Sequence, residues 1–170
     1  MKKTITLLIF VMSILANYAQ NKSVPEYLLN HEFPDSIKEF KIQNIKRVSV
    51  TFKEVLELHK GKKIVLDFWA SWCKDCLEGL PKLQKLQRKT TNVDYVFLSL
   101  DKTAERWKNA IIKLNIEGDH YFMAEGWKNS LTNYIGLDWI PRYMILDEKG
   151  KVIYAKAIKV DADFKKLLLK

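Results

Sequence analysis

The strongest constraint on this chain is the position of its two cysteines, Cys73 and Cys76, which are separated by only two residues. Before them, Ile64–Trp69 is a nearly continuous run of β-branched, apolar and aromatic residues, which is typical of a strand buried on both faces. After them, leucines recur at helical spacing at positions 77, 80, 83 and 86. Both thiols therefore lie at the junction between a predicted strand and a predicted helix.

Strand-like and helix-like segments alternate through the rest of the chain. A short helix over residues 51–60 precedes the buried strand, and Gly61 ends it. After the cysteines, two more strand–helix units are followed by a hairpin that turns at Glu148-Lys149-Gly150 and by a last helix. This order predicts an α/β fold with a central mixed sheet and helices on both faces. The predicted later elements are strands at Tyr95–Leu100, His120–Ala124, Arg142–Asp147 and Lys151–Ala155, and helices at Thr103–Leu114, Trp127–Tyr134 and Asp161–Leu169.

The N-terminal segment indicates export. Two lysines precede an apolar run, Ile5–Leu15, and small residues follow it, which predicts a secretory signal peptide over residues 1–19. The run is shorter than the roughly 20 residues of a spanning helix, and an uncleaved N-terminal anchor is the alternative. Residues 20–44 are predicted to form an N-terminal extension or lead-in strand before a domain at residues 45–170. The mature chain is expected to be periplasmic or otherwise extracytoplasmic, where disulfides persist.

Composition excludes several classes of function. The 170 residues carry 29 Lys and Arg against 20 Asp and Glu, but the lysines are dispersed and no basic recognition motif occurs, so we expect no nucleic-acid partner. The three histidines, His31, His59 and His120, show no paired spacing, and two cysteines cannot complete a four-Cys zinc site. We therefore expect neither a metal nor a cofactor.

The spacing of the cysteines favours redox chemistry. Two cysteines three positions apart at a helix start can cycle between dithiol and disulfide with little backbone motion. The helix N-terminus stabilises an anion, so Cys73 is predicted to be the nucleophilic thiolate. Cys76, one turn further on, is expected to be the more buried thiol and to resolve the mixed disulfide. A structural staple and half of a zinc site are the alternatives, although a loop this short stabilises by only about 2 kcal/mol in the chain-entropy model.

A second motif lies about 65 residues after the cysteines and completes a family resemblance. The segment Asp67–Cys76, together with Trp139-Ile140-Pro141-Arg142 and the strand-turn-strand Tyr143–Tyr154, resembles the thioredoxin superfamily. Within it, the chain is similar to exported thiol-disulfide oxidoreductases of the TlpA/ResA type. The resemblance implies a thioredoxin-like fold with Pro141 in the cis form facing the disulfide, and it implies substrate contacts from Trp72, Ile140, Pro141 and Arg142.

Asp67 is an acid in an otherwise apolar strand. Burial there raises the pKa of a carboxyl group and suits it to proton transfer near neutral pH. Thioredoxins have a buried aspartate at the matching position, so the resemblance implies that Asp67 deprotonates Cys76. The alternative is an acid that turns outward or only forms hydrogen bonds.

Several positions depart from the pattern of the exported relatives. Asp75 stands where many of them have proline, Gly79 stands where they have glutamate, with Glu78 one place early, and Arg142 stands where threonine is common. Lys74 and Arg142 favour the thiolate while Asp75 opposes it, so the sequence does not determine the reduction potential.

The five tryptophans fall into two groups. Trp69, Trp72 and Trp139 are expected to form an apolar shelf near the site, with Trp69 in the core and Trp72 in contact with substrate. Trp107 and Trp127 fall in helical stretches and are predicted to be packing residues.

The resulting hypothesis is a monomeric, exported thioredoxin-like reductase of protein disulfides. Its expected partners are protein dithiol and disulfide substrates and a membrane thiol transducer that supplies electrons. A disulfide-forming oxidase and a non-catalytic thioredoxin-like binding module are the alternatives.

Overall fold

Strands and helices alternate along residues 25–169, the part of the chain that the computed structural model describes. A single-turn 3₁₀ helix at Glu26–Leu28 comes first. The strands are β1 Lys41–Asn44, β2 Ser49–Thr51, β3 Lys63–Trp69, β4 Val93–Ser99, β5 Asp119–Phe122, β6 Arg142–Leu146 and β7 Val152–Ala157. The helices are α1 Asp35–Lys38, α2 Phe52–Leu58, α3 Lys74–Gln87, α4 Ala104–Leu114, α5 Ser130–Tyr134 and α6 Ala162–Leu168.

All seven strands belong to one mixed sheet in the order β2-β1-β5-β4-β3-β6-β7. β3, β4 and β5 are parallel, whereas β6 pairs antiparallel with β3 and with β7, and β1 pairs antiparallel with β5 and β2. Every side chain of Ile64–Trp69 is buried, although successive side chains of a strand point to opposite faces. Both faces of the sheet are therefore covered at β3, and the predicted mixed sheet flanked by helices is confirmed.

The C-terminal hairpin is present as predicted, and hydrogen bonds within its turn stabilise it. The carboxyl group of Asp147 accepts hydrogen bonds from the backbone N–H groups of Lys149 and Lys151, and Gly150 has a φ of 84°. The predicted helix Trp127–Tyr134 is shorter than expected, because it begins only at Ser130. Asn129 caps it by accepting a hydrogen bond from the N–H of Thr132, which fixes the start of α5.

The described part of the predicted lead-in belongs to the same sheet and core as the rest. β1 pairs with β5, which joins residues 41–44 to the parallel strands. Leu28, Phe33, Ile37 and Phe40 are buried in the main hydrophobic cluster. The described part of this segment thus shares one core with the rest of the chain through the four apolar side chains named above, whereas Tyr27 and Leu29 are exposed.

The predicted signal peptide, residues 1–19, lies outside the described residues. Within residues 25–169, none of the helices has the length and apolar character required to cross a bilayer. Export therefore stays a prediction from the sequence.

Replacing Phe33 with alanine tests whether the lead-in contributes to stability. Phe33 is 2% exposed and packs edge-to-face on Phe52, with ring centroids 5.0 Å apart. Removal of a buried ring leaves a cavity, so Phe33→Ala should lower the free energy of unfolding by about 3–5 kcal/mol in urea denaturation. Leu29→Ala, at an exposed position in the same segment, should change it little. Equal effects of the two changes would show that the segment is not part of the core.

Candidate active site

Cys73 and Cys76 form a disulfide at the start of α3. β3 ends at Trp69, the backbone N–H of Cys73 bonds to the carbonyl oxygen of Ala70 at 3.1 Å, and α3 begins at Lys74. The sulfurs are 2.04 Å apart. Cys73 is the N-cap residue, and its Sγ accepts a hydrogen bond from the backbone N–H of Cys76 at 3.1 Å. The sulfur of Cys73 thus accepts one of the N–H groups that have no intrahelical partner at the N-terminus of α3.

Ile140, which precedes Pro141, lies against this disulfide. The peptide bond between them is cis, as the resemblance implies. Cys73 Sγ lies 3.6 Å from the carbonyl oxygen of Ile140, 67 residues further along the chain. The antiparallel pairing of β3 with β6 brings the two segments together, because Phe68 is opposite Arg142 in the ladder.

The two cysteines are equally buried, contrary to the expectation that Cys76 is the more buried. Cys73 is 5% exposed and Cys76 is 6% exposed. The physical reason is a long-range contact, because Ile140, 67 residues further along the chain, covers the sulfur of Cys73. They differ instead in their surroundings, since Cys73 lines a surface groove and Cys76 does not line it.

This groove, of about 490 Å³, has aromatic walls. Trp72 and Trp139 are 50% and 56% exposed, and Trp69 and Trp107 are buried in the core. Trp127, which the sequence assigned to packing, also lines the groove because it precedes α5 rather than lying within it. The complete lining is Trp72, Cys73, Lys74, Asp75, Trp127, Asp138, Trp139 and Ile140.

Asp67 points into the interior and not outward. It lies in the middle of β3 and is buried, and its Oδ1 has no hydrogen-bond partner within residues 25–169. Burial raises the pKa of Asp67 well above its ordinary value. A carboxyl group in this state holds its proton at pH values where an exposed aspartate has lost it.

Arg142 does not reach the open surface, which corrects the substrate contact expected of its side chain. It is 2% exposed, and its guanidinium forms an ion pair with Asp138. Burial opposes ionisation of Asp138, but a hydrogen bond from Lys156 and the charge of Arg142 outweigh it and hold the pKa of Asp138 below its ordinary value. The charge of Arg142 is therefore compensated, which weakens its expected influence on the Cys73 thiolate. Lys74 is exposed, and its Nζ lies 3.7 Å from Oε1 of Glu78.

Asp101 is a site residue that the sequence analysis missed. Its buried carboxyl group accepts hydrogen bonds from the N–H and hydroxyl of Ser71 at 3.0 and 2.6 Å, and from the hydroxyl of Ser99 at 2.8 Å. These bonds hold the turn that leads into Trp72 and Cys73. The available signal was an acid directly after a buried parallel strand, at the edge of the sheet where the cysteines lie.

The histidines lie apart from the cysteines. His59 is buried and its Nδ1 lies 2.9 Å from Asp94 Oδ2, and His120 stacks on Phe97. In the described part of the chain, no group of three or more His, Cys, Asp or Glu side chains is arranged to hold a metal ion.

With this geometry, the chain belongs to the thioredoxin-like family, whose match spans residues 61–152. The thioredoxin-like protein YneN of Bacillus subtilis is 31% identical over 100 residues, which cover 59% of this chain and 59% of YneN. The thiol-disulfide oxidoreductase ResA of Bacillus thuringiensis is 29% identical over 96 residues, which cover 55% of this chain and 54% of ResA. The chain thus matches little more than half the length of these relatives.

Solved structures share the fold. The solution structure of a candidate thiol-disulfide oxidoreductase from Bacteroides vulgatus is 30% identical, with a TM-score of 0.63 over 76% of this chain and 83% of that one. A thiol-disulfide oxidoreductase from Bacteroides fragilis is 24% identical, with a TM-score of 0.65 over 76% of this chain and 96% of that one. The second likeness supports the fold alone.

Removal of the Asp101 carboxyl group should destabilise the protein. Asp101→Ala leaves three donors without their acceptor, two on the partly buried Ser71 and one on the buried Ser99, and each fully buried unpaired donor costs about 1–3 kcal/mol. We expect a loss of at least about 2 kcal/mol in the urea unfolding of the oxidised protein. Glu125→Ala, at an exposed acid, is the matched control. An unchanged unfolding midpoint for Asp101→Ala would contradict the anchoring role.

Asp67 should make stability depend on pH. The folded state holds its proton more tightly than the unfolded chain, so this stabilisation is complete below the ordinary pKa of 3.8 and is lost as the pH rises toward the raised pKa. Within that window the free energy of unfolding should fall by about 1.4 kcal/mol per pH unit from this group. Asp67→Asn removes the dependence, so its stability relative to the wild type should increase from pH 4 to pH 9 in urea unfolding of the oxidised protein. Glu125→Gln should give a curve parallel to the wild type, and a parallel curve for Asp67→Asn would refute the assignment.

Proposed function

We propose that this chain is an exported, monomeric thiol-disulfide oxidoreductase that reduces protein disulfides. The observation that carries the proposal is the placement of Cys73, which caps α3, is joined to Cys76 and lines an open aromatic groove. Membership of the thioredoxin-like family and the likeness to ResA support the same class of reaction. The export signal in residues 1–19 supports action outside the cytoplasm.

In the reduced protein, Cys73 is the attacking group. The N–H of Cys76, which points to Cys73 Sγ at 3.1 Å, and the positive end of the α3 dipole both stabilise a thiolate over a thiol. Because Cys73 lines the groove and Cys76 does not, a substrate disulfide reaches Cys73 first. The Cys73 thiolate attacks one substrate sulfur, and the other substrate sulfur leaves as a thiolate and takes up a proton.

Cys76 completes the reaction. Asp67, when ionised, accepts the proton of the Cys76 thiol, and the resulting thiolate attacks Cys73 Sγ in the mixed disulfide. The second substrate sulfur is released, so that two electrons pass from the cysteine pair to the substrate and the Cys73–Cys76 disulfide forms. A membrane thiol transducer is the proposed donor that returns two electrons to the pair.

The substrate is proposed to be an extended protein segment beside the disulfide. Trp72 offers a half-exposed aromatic face, and Ile140 lines the same groove ahead of Pro141. Arg142 supports this wall indirectly, because its ion pair fixes Asp138 at the groove.

The reduction potential of the Cys73/Cys76 pair tests the proposal. It is measured from tryptophan fluorescence of the mature protein in glutathione or dithiothreitol buffers, with insulin reduction assayed in parallel. We expect a value near that of thioredoxin, about −270 mV, because the site has the thioredoxin arrangement. A value near −120 mV would reverse the direction of electron flow and make the protein an oxidase.

The control is the Cys73→Ser, Cys76→Ser double variant, which should show no transition and no insulin reduction. If the wild type also shows no reversible transition, the oxidoreductase proposal fails and the groove belongs to a binding module.

A further inference from the structure

We propose that Tyr143 is a positioning residue for Asp67: its phenol O–H stabilises the ionised carboxylate and so sets the pH at which Asp67 can accept the proton of Cys76. The proposal rests on the proposed function, because it assigns a partner to the base of that reaction. Four observations carry it, namely the strand register, the position of Gly79, the unpaired oxygen of Asp67 and the surrounding charges.

The strand register places Tyr143 beside Asp67. The two residues are directly opposite in the antiparallel β3–β6 ladder, so their side chains lie on the same face of the sheet. On the other side, the neighbour of Asp67 in β4 is Phe97, whose ring offers no hydrogen bond. Tyr143 is therefore the polar side chain of the two that flank Asp67 across the sheet.

Gly79 makes room for the phenol. A Cβ on Gly79 would lie 3.1 Å from the hydroxyl oxygen of Tyr143, so the phenol reaches from the sheet to α3. Gly79 is inside a helix and has no positive φ, so the backbone does not require glycine there, and glycine costs a helix about 1 kcal/mol relative to alanine. The space for the hydroxyl is the structural reason for this residue. Because Gly79 follows Cys76 by three positions, both lie on one face of α3.

The carboxyl group of Asp67 has an acceptor atom that can interact with this hydroxyl. Its Oδ1 is buried without a hydrogen-bond partner in the described part of the chain. An unpaired carboxylate oxygen in an apolar interior is costly, and a nearby O–H dipole lowers that cost when the group is charged.

Among the described residues, no cation influences the pKa of Asp67. The raised pKa of Asp67 has burial as its cause, with no contribution from a charged neighbour. Across the sheet, the titratable groups in register with Asp67 are Tyr143 on β6 and, beyond Phe97, His120 on β5, whose pKa is lowered by burial. On α3, Cys76 lies on the same helix face as Gly79. Burial and then the charge of Asp67 raise the pKa of Tyr143, so the phenol keeps its proton and acts only as a donor.

The test is the titration of the Asp67 carboxyl group, followed by ¹³C NMR in the oxidised protein. Tyr143→Phe removes the O–H dipole beside the carboxylate and should move the midpoint to higher pH by about one unit. The rising limb of insulin reduction by the reduced protein should move in the same direction. Tyr154→Phe is the matched control, because Tyr154 also packs against Phe164 from the neighbouring strand, and its titration should coincide with the wild type.

A second variant keeps the test decisive if Tyr143→Phe does not fold. Replacement of Tyr143 by 3-fluorotyrosine retains the hydroxyl and makes it a stronger donor, so the midpoint of Asp67 should move to lower pH. A midpoint that coincides with the wild type in whichever variants fold would overturn the proposal and leave Tyr143 as a packing residue. The NMR titration does not depend on turnover. A wild type without reductase activity would therefore refute the proposed function, while the titration would still test the role of Tyr143.

Discussion

The burial of β3 between β4 and β6 is the constraint on which the rest of the structure depends. Its side chains from Ile64 to Trp69 face helices or loops on both sides, so a carboxyl group at Asp67 is removed from water. The end of the same strand delivers the chain to the N-terminus of α3, where Cys73 receives the N–H of Cys76. One strand therefore positions both the desolvated carboxyl group and the electropositive N-terminus of α3. The length of the strand beyond Asp67 fixes the distance between the two.

Two distant segments meet at the end of β3, and each is held by specific polar contacts. Asp101, after β4, fixes the turn at Ser71. Asp138 is held before β6 by Arg142, with Lys156 of β7 completing the charge balance. Of the charged residues that line the groove, Asp138 is thus neutralised by two cations.

The sequence was sufficient to predict features that depend on residues close together in the chain. Cys73 and Cys76 are three positions apart, and the hydrophobic periodicity around them predicted the strand, the helix and the mixed sheet. It was insufficient where a contact joins residues far apart, because periodicity carries no information on which segments meet. Asp101 pairs with a residue 30 positions away, and Ile140 covers Cys73 from 67 positions away, which equalises the burial of the two cysteines. The packing of residues 25–44 could not be predicted for the same reason, since Phe33 meets Phe52 only in the folded chain.

The carboxyl group of Asp67 differs in its energetic cost from the apolar side chains of the core around it. An apolar residue at this position would extend the packing of β3, whereas a carboxyl group that ionises there loses hydration without gaining a cation. The cost is smallest while the group holds its proton, and a group that holds a proton near neutral pH is the one that can exchange it with a thiol. In the proposed mechanism, the destabilisation and the proton transfer are consequences of the same burial. Any neighbour that eases ionisation, as proposed for Tyr143, shifts both together, so stability and reactivity at this strand cannot be tuned independently.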